Sequence, residues 1–263
     1  MLPISACSAA FIRKFHLVQR ITSIVFFLVL TLFATSCRAI NDTGSIDDIL
    51  RQIDHYRMPF RSFEASIRIT PVSDGSDQES GTYILRGTGQ NHILVEATSF
   101  DQLGQKFLTT DSGLFFYAPR TKRAIRLTPL QSLRGQASIG DIARISFEND
   151  YTASETELPA QACSESTCIA LQLISKNDEA TYSKIVLVAR RQHDHYVPVT
   201  AMLYVASGKL LKIARFESGM NGLPPTTYYV DPKTPKVETR VTFEKIAASS
   251  FSANFFNPRT LEQ

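Results

Sequence analysis

The chain has no tryptophan, and only two of its four cysteines, Cys163 and Cys168, stand beyond residue 40. Its N-terminal apolar run, residues 21–34 (ITSIVFFLVLTLFA), stops at fourteen apolar or small residues, short of the roughly 20 that a membrane-spanning helix needs. No G-x-S-x-G elbow presents a nucleophile, and no Walker-type loop cradles a phosphate. Gly87 and Gly89 lack the third glycine of a dinucleotide loop, and they read as turn residues that punctuate strands. His55 and His92 are isolated, with no carboxylate spaced to orient a base. His193-Asp194-His195 points at best two imidazoles one way and reads as a solvated loop. Asp47-Asp48 is explained by a helix N-terminus, where the dipole favours negative charge. No nucleophile–base pair can be assembled, so an esterase is disfavoured. The chain reads as a binding protein rather than an enzyme, with no metal and no cofactor expected.

What is present begins with Arg13, Lys14 and Arg20 ahead of the apolar run, the arrangement of a signal peptide. Residues 1–36 are read as that signal and 37–263 as one domain; a short N-terminal anchor helix is the rival. Two cleavage points fit. Ala34-Thr35-Ser36-Cys37 resembles a bacterial lipobox, whose cysteine is lipidated and becomes the mature N-terminus, although Ala34 stands where that motif usually carries Leu. Ordinary cleavage near Ala39 is the alternative. Without the signal's three basic groups, 25 of the 28 Lys plus Arg remain against 25 Asp plus Glu. A neutral mature chain argues against nucleic acid as a partner, because neutralising phosphates takes an excess of cations. In an exported chain, Cys163 and Cys168 read as a disulfide closing a small loop, with free thiols as the alternative.

The remaining residues suffice for one core, and no repeat or long linker divides them. Ser45 caps a helix with Asp48 three residues on, and Ile46, Ile49, Leu50 and Ile53 fall on one face at helical spacing. From Arg61 the period becomes two: Phe63, Ala65, Ile67 and Ile69 alternate with polar residues. Strand-like runs follow at 82–86, 92–98, 106–109, 114–118 and 124–128. They resume at 151–157, 168–175, 182–190, 197–206, 209–218, 226–230 and 236–245, which makes about thirteen in all with short turns, a meander rather than βαβ units. So large a sheet must curl, close or split. A spanning outer-membrane barrel is disfavoured, because several strands are shorter than the 9–11 residues it needs and there is no Trp.

The meander pauses after the run at 124–128 and resumes at 151. Ser138 is expected to cap a helix over 139–147, with Asp141 in its first turn and Ile139, Ile142 and Ile145 on its apolar side. Before it, Arg120, Lys122, Arg123 and Arg126 form the chain's main basic cluster. The cluster is either a solvated hairpin or a docking patch for anionic lipid or an acidic partner.

The segments L-F-F-Y-A-P-R-T-K-R (114–123), G-Q-A-S-I-G-D-I-A-R (135–144), Asp150-Tyr151, Tyr182-Ser183-Lys184-Ile185, 203–212 and Phe256-Asn257-Pro258-Arg259 resemble the LolA-like family of outer-membrane lipoprotein-sorting proteins. Members often carry Trp where Phe115 or Phe116 stands here. The resemblance covers roughly 46–261. It implies a mainly β (α+β) fold, a half-open antiparallel β-barrel of about 11–13 strands with short helices covering its concave face. It further implies a periplasmic carrier, anchored to the outer membrane if Cys37 is lipidated, that receives the acyl chains of a lipoprotein or lipid. An inner-membrane lipid or lipoprotein export permease is the implied partner. An assembly or scaffold lipoprotein that binds protein without lipid is the alternative. Strand alternation nominates Phe63, Ile67, Ile69, Leu85, Val95, Phe107, Phe116, Leu171 and Leu187 as cavity residues, and the helix over 139–147 as a lid held shut by apolar contact. Leu114 to Tyr117 is apolar on both faces, so its inward side stays open.

Overall fold

A computed structural model describes residues 44–262, apart from 90, 91, 145, 161 and 164. The signal-peptide reading, Cys37 and Ala39, and the lid position Ile145 lie outside the described residues. No described helix is long and apolar enough to cross a membrane.

Helix α1 (Ile46–Arg57) begins with a reciprocal box: Ser45 Oγ accepts from the Asp48 N–H, and the Asp48 carboxylate accepts from the Ser45 N–H. Its apolar stripe buries Ile49, Leu50 and Ile53. It ends at Met58, whose extended backbone precedes Pro59, because the proline ring clashes with an α-helical residue before it.

Two runs of strands follow. The first holds β1 (Ser62–Ser73), the two-residue β2 (Ser76–Asp77), β3 (Gly81–Thr88), β4 (His92–Ala97), β5 (Lys106–Thr110), β6 (Gly113–Ala118) and β7 (Arg123–Leu127). The second holds β10 (Tyr151–Thr156), β11 (Cys168–Ser175), β12 (Lys184–Gln192), β13 (His195–Tyr204), β14 (Leu210–Glu217), β15 (Thr226–Val230) and β16 (Val237–Ala248). Between them lie a small hairpin, β8 (Ser132–Arg134) with β9 (Ala137–Ser138), and two short helices, α2 (Ile139–Ala143) and α3 (Phe147–Asp150). The thirteen runs legible as strands are all strands; β2, β8 and β9 are added to them.

Both runs form one antiparallel sheet of fourteen strands in the order β10-β11-β12-β13-β14-β15-β16-β1-β3-β4-β5-β6-β7, with β2 beside β1. It is not closed into a barrel: β10 and β7 end its order. The twelve-residue strands β1 and β16 pair along their length as its spine. The register shifts opposite Ser66/Ile67 and Val188/Ala189, where β16 and β13 each carry one extra residue, which adds local twist and bend.

The chain leaves one end of the sheet order at β7 and starts the other at β10; between them Leu133, Ala137, Ile139, Ile142 and Phe147 are buried in the same apolar cluster as the inward side chains of the sheet. The helix expected over 139–147 is divided. α2 ends at Arg144, whose φ −129° and ψ 82° are not helical, and α3 starts again after Ser146.

Gly87 is no turn residue but part of β3. An added Cβ there would lie 2.5 Å from the Phe63 ring. The missing side chain is what lets Phe63 lie flat inside the curl.

Candidate functional site

The cross-strand register assembles the concave face as rows. In one, Leu85 lies opposite Val95, Val95 opposite Phe107, and Phe107 opposite Phe116. In another, Leu171 pairs with Leu187, and Ala201, Ala214 and Tyr229 continue across β13 to β15. A third runs Leu173, Ile185, Leu203 and then Lys212. Eight of the nine nominated cavity residues are buried in one cluster with the apolar side of α1, and Phe116 packs half-buried against it. Strand β6 serves both sides. Leu114 and Phe116 pack with the interior, while Phe115 and Tyr117 pack outside against Phe251, Phe255 and Phe256 of the C-terminal tail.

Ile139 and Ile142 of α2 are buried in the same interior cluster. Besides the apolar side expected from the sequence, α2 makes buried polar contacts. The Asp141 carboxylate of α2 is 98 % buried and sits 2.8 Å from Lys212 Nζ of β14. Its other oxygen accepts from the Tyr182 hydroxyl at 2.5 Å. Ser138 N–H and Oγ–H donate to the oxygen that faces Lys212, each at 2.8 Å. Lys212 further donates to the Gln136 carbonyl at 2.5 Å.

A second set of contacts joins α1 to α3. Asp54 of α1 accepts from Ser146 Oγ, the Phe147 N–H and the Glu148 N–H at 2.9 to 3.0 Å, so a side chain 92 or more residues earlier caps α3. Half-buried Arg144 and buried Asp150 pair at 2.8 Å. At the hairpin, Arg134 of β8 pairs with Asp101 and donates to the Glu79 carbonyl. The Gln136 N–H donates to Thr239 Oγ1 of β16 at 2.8 Å.

Burial dominates the electrostatics. It raises Asp54 above the usual carboxylate range although Arg57 and the α3 donors pull the other way. It holds the Tyr182 phenol well above its ordinary value, with the Asp141 charge adding to the shift. Tyr229 and Tyr151 move the same way for the same first cause.

The closed interior is nearly full. Between α2 and the sheet a void of about 30 Å³ remains, beside Gly140, Asp141, Thr181, Tyr182 and Tyr229. Gly140 has no room for a side chain, since a Cβ would lie 2.4 Å from Thr181 Oγ1. A larger cleft of about 450 Å³ opens where Arg51, His55 and Phe60 meet Glu148.

The remaining sequence-nominated groups lie elsewhere. Arg120 and Lys122 are exposed on the β6–β7 turn, and Arg123 opens β7 exposed. Arg126 is 2.9 Å from Glu179 and so is engaged within the chain. Cys163 and Cys168 are joined as a disulfide in the β10–β11 connection. His193 and His195 are exposed at the β12–β13 turn. Among the described residues no group of three or more His, Cys, Asp or Glu could hold a metal ion. Sequence reading missed Lys212, Asp54 and Tyr182, and also the 97 % exposed Phe100. Phe100 and Leu103 lie in the β4–β5 loop, beside the basic turn: Gly104 abuts Pro119 of that turn.

Similarity to known proteins follows this geometry. A comparison with curated proteins found no match. A LolA superfamily protein from Nitrosomonas europaea superposes with a TM-score of 0.71 at 24% identity, over 80% of this chain and 96% of that one. A domain from Vibrio parahaemolyticus, described as an outer membrane lipoprotein-sorting protein, matches with a TM-score of 0.64 at 16% identity, over 82% and 98%. A DUF1329 family protein from Desulfovibrio piger gives 0.60 at 17%, over 82% and 97%. Residues 89–263 match a family model described as "Uncharacterized protein". The chain belongs to that family and has the fold of the LolA superfamily.

Proposed function

We propose that this protein is a carrier that takes the acyl chains of a lipoprotein or lipid into its half-barrel when the segment over residues 128–150 lifts away. One observation carries the reading: a continuous apolar concave face, from Leu85, Val95, Phe107 and Phe116 to Leu171 and Leu187, is covered by a crossing segment that is latched through exchangeable polar contacts. Each buried CH₂ contributes about 0.8 kcal/mol, so one long acyl chain offers on the order of 10 kcal/mol before ordering costs. Left uncovered, such a face would exceed the few hundred Å² of contiguous apolar surface that a soluble monomer tolerates. The cover keeps the empty protein soluble, and cargo replaces it.

In the same reading residues 1–36 export the chain, 37–263 work as one domain in the periplasm, and a lipidated Cys37 anchors it to the inner leaflet of the outer membrane. An inner-membrane export permease supplies the cargo. Arg120, Lys122 and Arg123 meet anionic headgroups, with Phe100 and Leu103 beside them as the apolar contact. No catalytic step is assigned.

Native mass spectrometry of protein purified from membranes tests the carrier role. A co-purifying lipid or lipoprotein supports it. A chain that stays empty, and takes up no acyl probe when offered one, would be a scaffold lipoprotein instead. Intact mass of the mature chain tests the lipidation of Cys37.

A further inference from the structure

We propose that Lys212 and Tyr182 form a binding site for the anionic group of an acyl-chain amphiphile, a carboxylate or a phosphate, which takes the place of Asp141 when the cover opens. The proposal rests on the carrier reading above and names its ligand class.

Lys212 belongs to β14, and Tyr182 lies just before β12, so both stay with the sheet. Asp141 belongs to α2, in the cover. Its carboxylate bridges the two, one oxygen 2.8 Å from Lys212 Nζ and the other 2.5 Å from the Tyr182 hydroxyl. The second acceptor of Lys212, the Gln136 carbonyl, is also on the crossing segment. Lifting the cover therefore removes both acceptors together.

What stays behind is a cation whose side chain was 94 % buried, at the end of the apolar row Leu173, Ile185 and Leu203. Its ammonium lies 5.3 Å from the centre of the Tyr229 ring. Removing one partner of a buried ion pair is strongly unfavourable, because the other charge is left uncompensated. A neutral ester or amide head would leave it so. An anionic head restores both contacts, and the Asp141 carboxylate marks the positions its two oxygens would take. A further donor faces the same void: Thr181 Oγ1 is buried there without a partner among the described residues. The cover thus holds the cavity shut with a stand-in for the cargo's own head, and a charged amphiphile competes with it directly.

Two matched pairs of probes test this at mildly alkaline pH: a pyrene-labelled fatty acid against its methyl ester, and a labelled lysophosphatidic acid against the monoacylglycerol. Asp141→Asn weakens the latch and leaves both donors on the sheet. It should bind the acidic member of at least one pair about tenfold tighter or more, since a hydrogen-bonded charge contributes on the order of 1.5–3 kcal/mol. Which pair discriminates separates a carboxylate ligand from a phosphate. The double variant Asp141→Asn/Lys212→Met removes both charges together and should bind acid and neutral probes alike. Tyr182→Phe, which keeps the ion pair, should narrow the preference. Equal binding of both members of each pair by Asp141→Asn, or a preference that survives in the double variant, overturns the proposal and leaves the carrier reading intact. Folded variants that bind none of the four probes overturn the carrier reading, and this proposal with it.

Discussion

The sheet carries a cover on each face, and the two are built differently. On the convex side the C-terminal tail lays Phe256 and Leu261 on Leu94 and Leu108. Phe251, Phe255 and Phe256 stack among themselves with centroids 4.8 to 5.6 Å apart. No ion pair ties that tail to the sheet among the described residues. On the concave side, residues 128–150 add a chain of buried polar contacts, with Asp141, Lys212, Tyr182, Asp54 and Arg144 among its members. Apolar packing is non-directional and leaves nothing for a ligand to copy. A buried ion pair is directional and costly to strand, so it releases only to something that replaces it. Under the proposed function the tail stays and the segment over 128–150 exchanges.

The sharpest way to break this contrast is a pair of truncations of similar cost. Asp141→Ala strands Lys212 and should weaken closure by about 3–5 kcal/mol. Phe256→Ala empties a core position and should lower global stability by a similar ~3–5 kcal/mol. Denaturant unfolding should register both. Uptake of a fluorescent apolar probe by the folded protein should rise only for Asp141→Ala. A rise for Phe256→Ala as well would erase the distinction.

Ile142→Asp comes next. It buries a carboxylate where Ile142 is 5 % exposed, at a cost of several kcal/mol unless the cover swings out. Probe binding should increase, and amide hydrogen exchange should speed up over α2 while the tail remains protected. Unchanged exchange would mean that α2 does not move.

Alkaline pH should reach the latch without any substitution. Burial holds the Tyr182 phenol well above its ordinary value of 10.0 when closed. The open form therefore ionises first, so this contribution to closure is complete below pH 10 and declines as pH climbs toward the raised value. Tyr151 and Tyr229 are raised too and act in the same direction. Probe uptake should grow above pH 10, and Tyr182→Phe should flatten that rise; a profile identical to the native one would place the titration elsewhere.

The smallest effect belongs to the exposed edge. Replacing Arg120 and Lys122 with Gln should weaken sedimentation with anionic vesicles by about 1 kcal/mol per group. Phe100→Ser should weaken it further without touching probe uptake. Loss of uptake instead would join that edge to the cavity.

Much of this molecule was legible as sequence. The alternation around Phe63, Ile67 and Ile69 marked β1 and its inward side, and the Ser45–Asp48 box marked α1, because both patterns are local and repeat with a fixed period. Helix α2 was legible from Ser138 and Ile139, yet its break at Arg144 was not. Asp54, which caps the second piece, lies 93 residues before the Phe147 N–H it accepts. Lys212 was the hardest to see. In Leu210-Leu211-Lys212-Ile213-Ala214 an isolated lysine reads as the solvent side of a strand, and nothing nearby says otherwise.

By itself, then, the sequence determined the elements and the parity of most strands, since side-chain size and spacing act over a few residues. Only the tertiary structure decided that β16 pairs with β1 and that residues between β7 and β10 bury Ile139 and Ile142 in the interior cluster. It alone turned Lys212 inward to meet a carboxylate 71 residues away. Long-range pairing has no period to read: the partner that makes a buried charge tolerable is chosen by the fold, not by its neighbours in the chain.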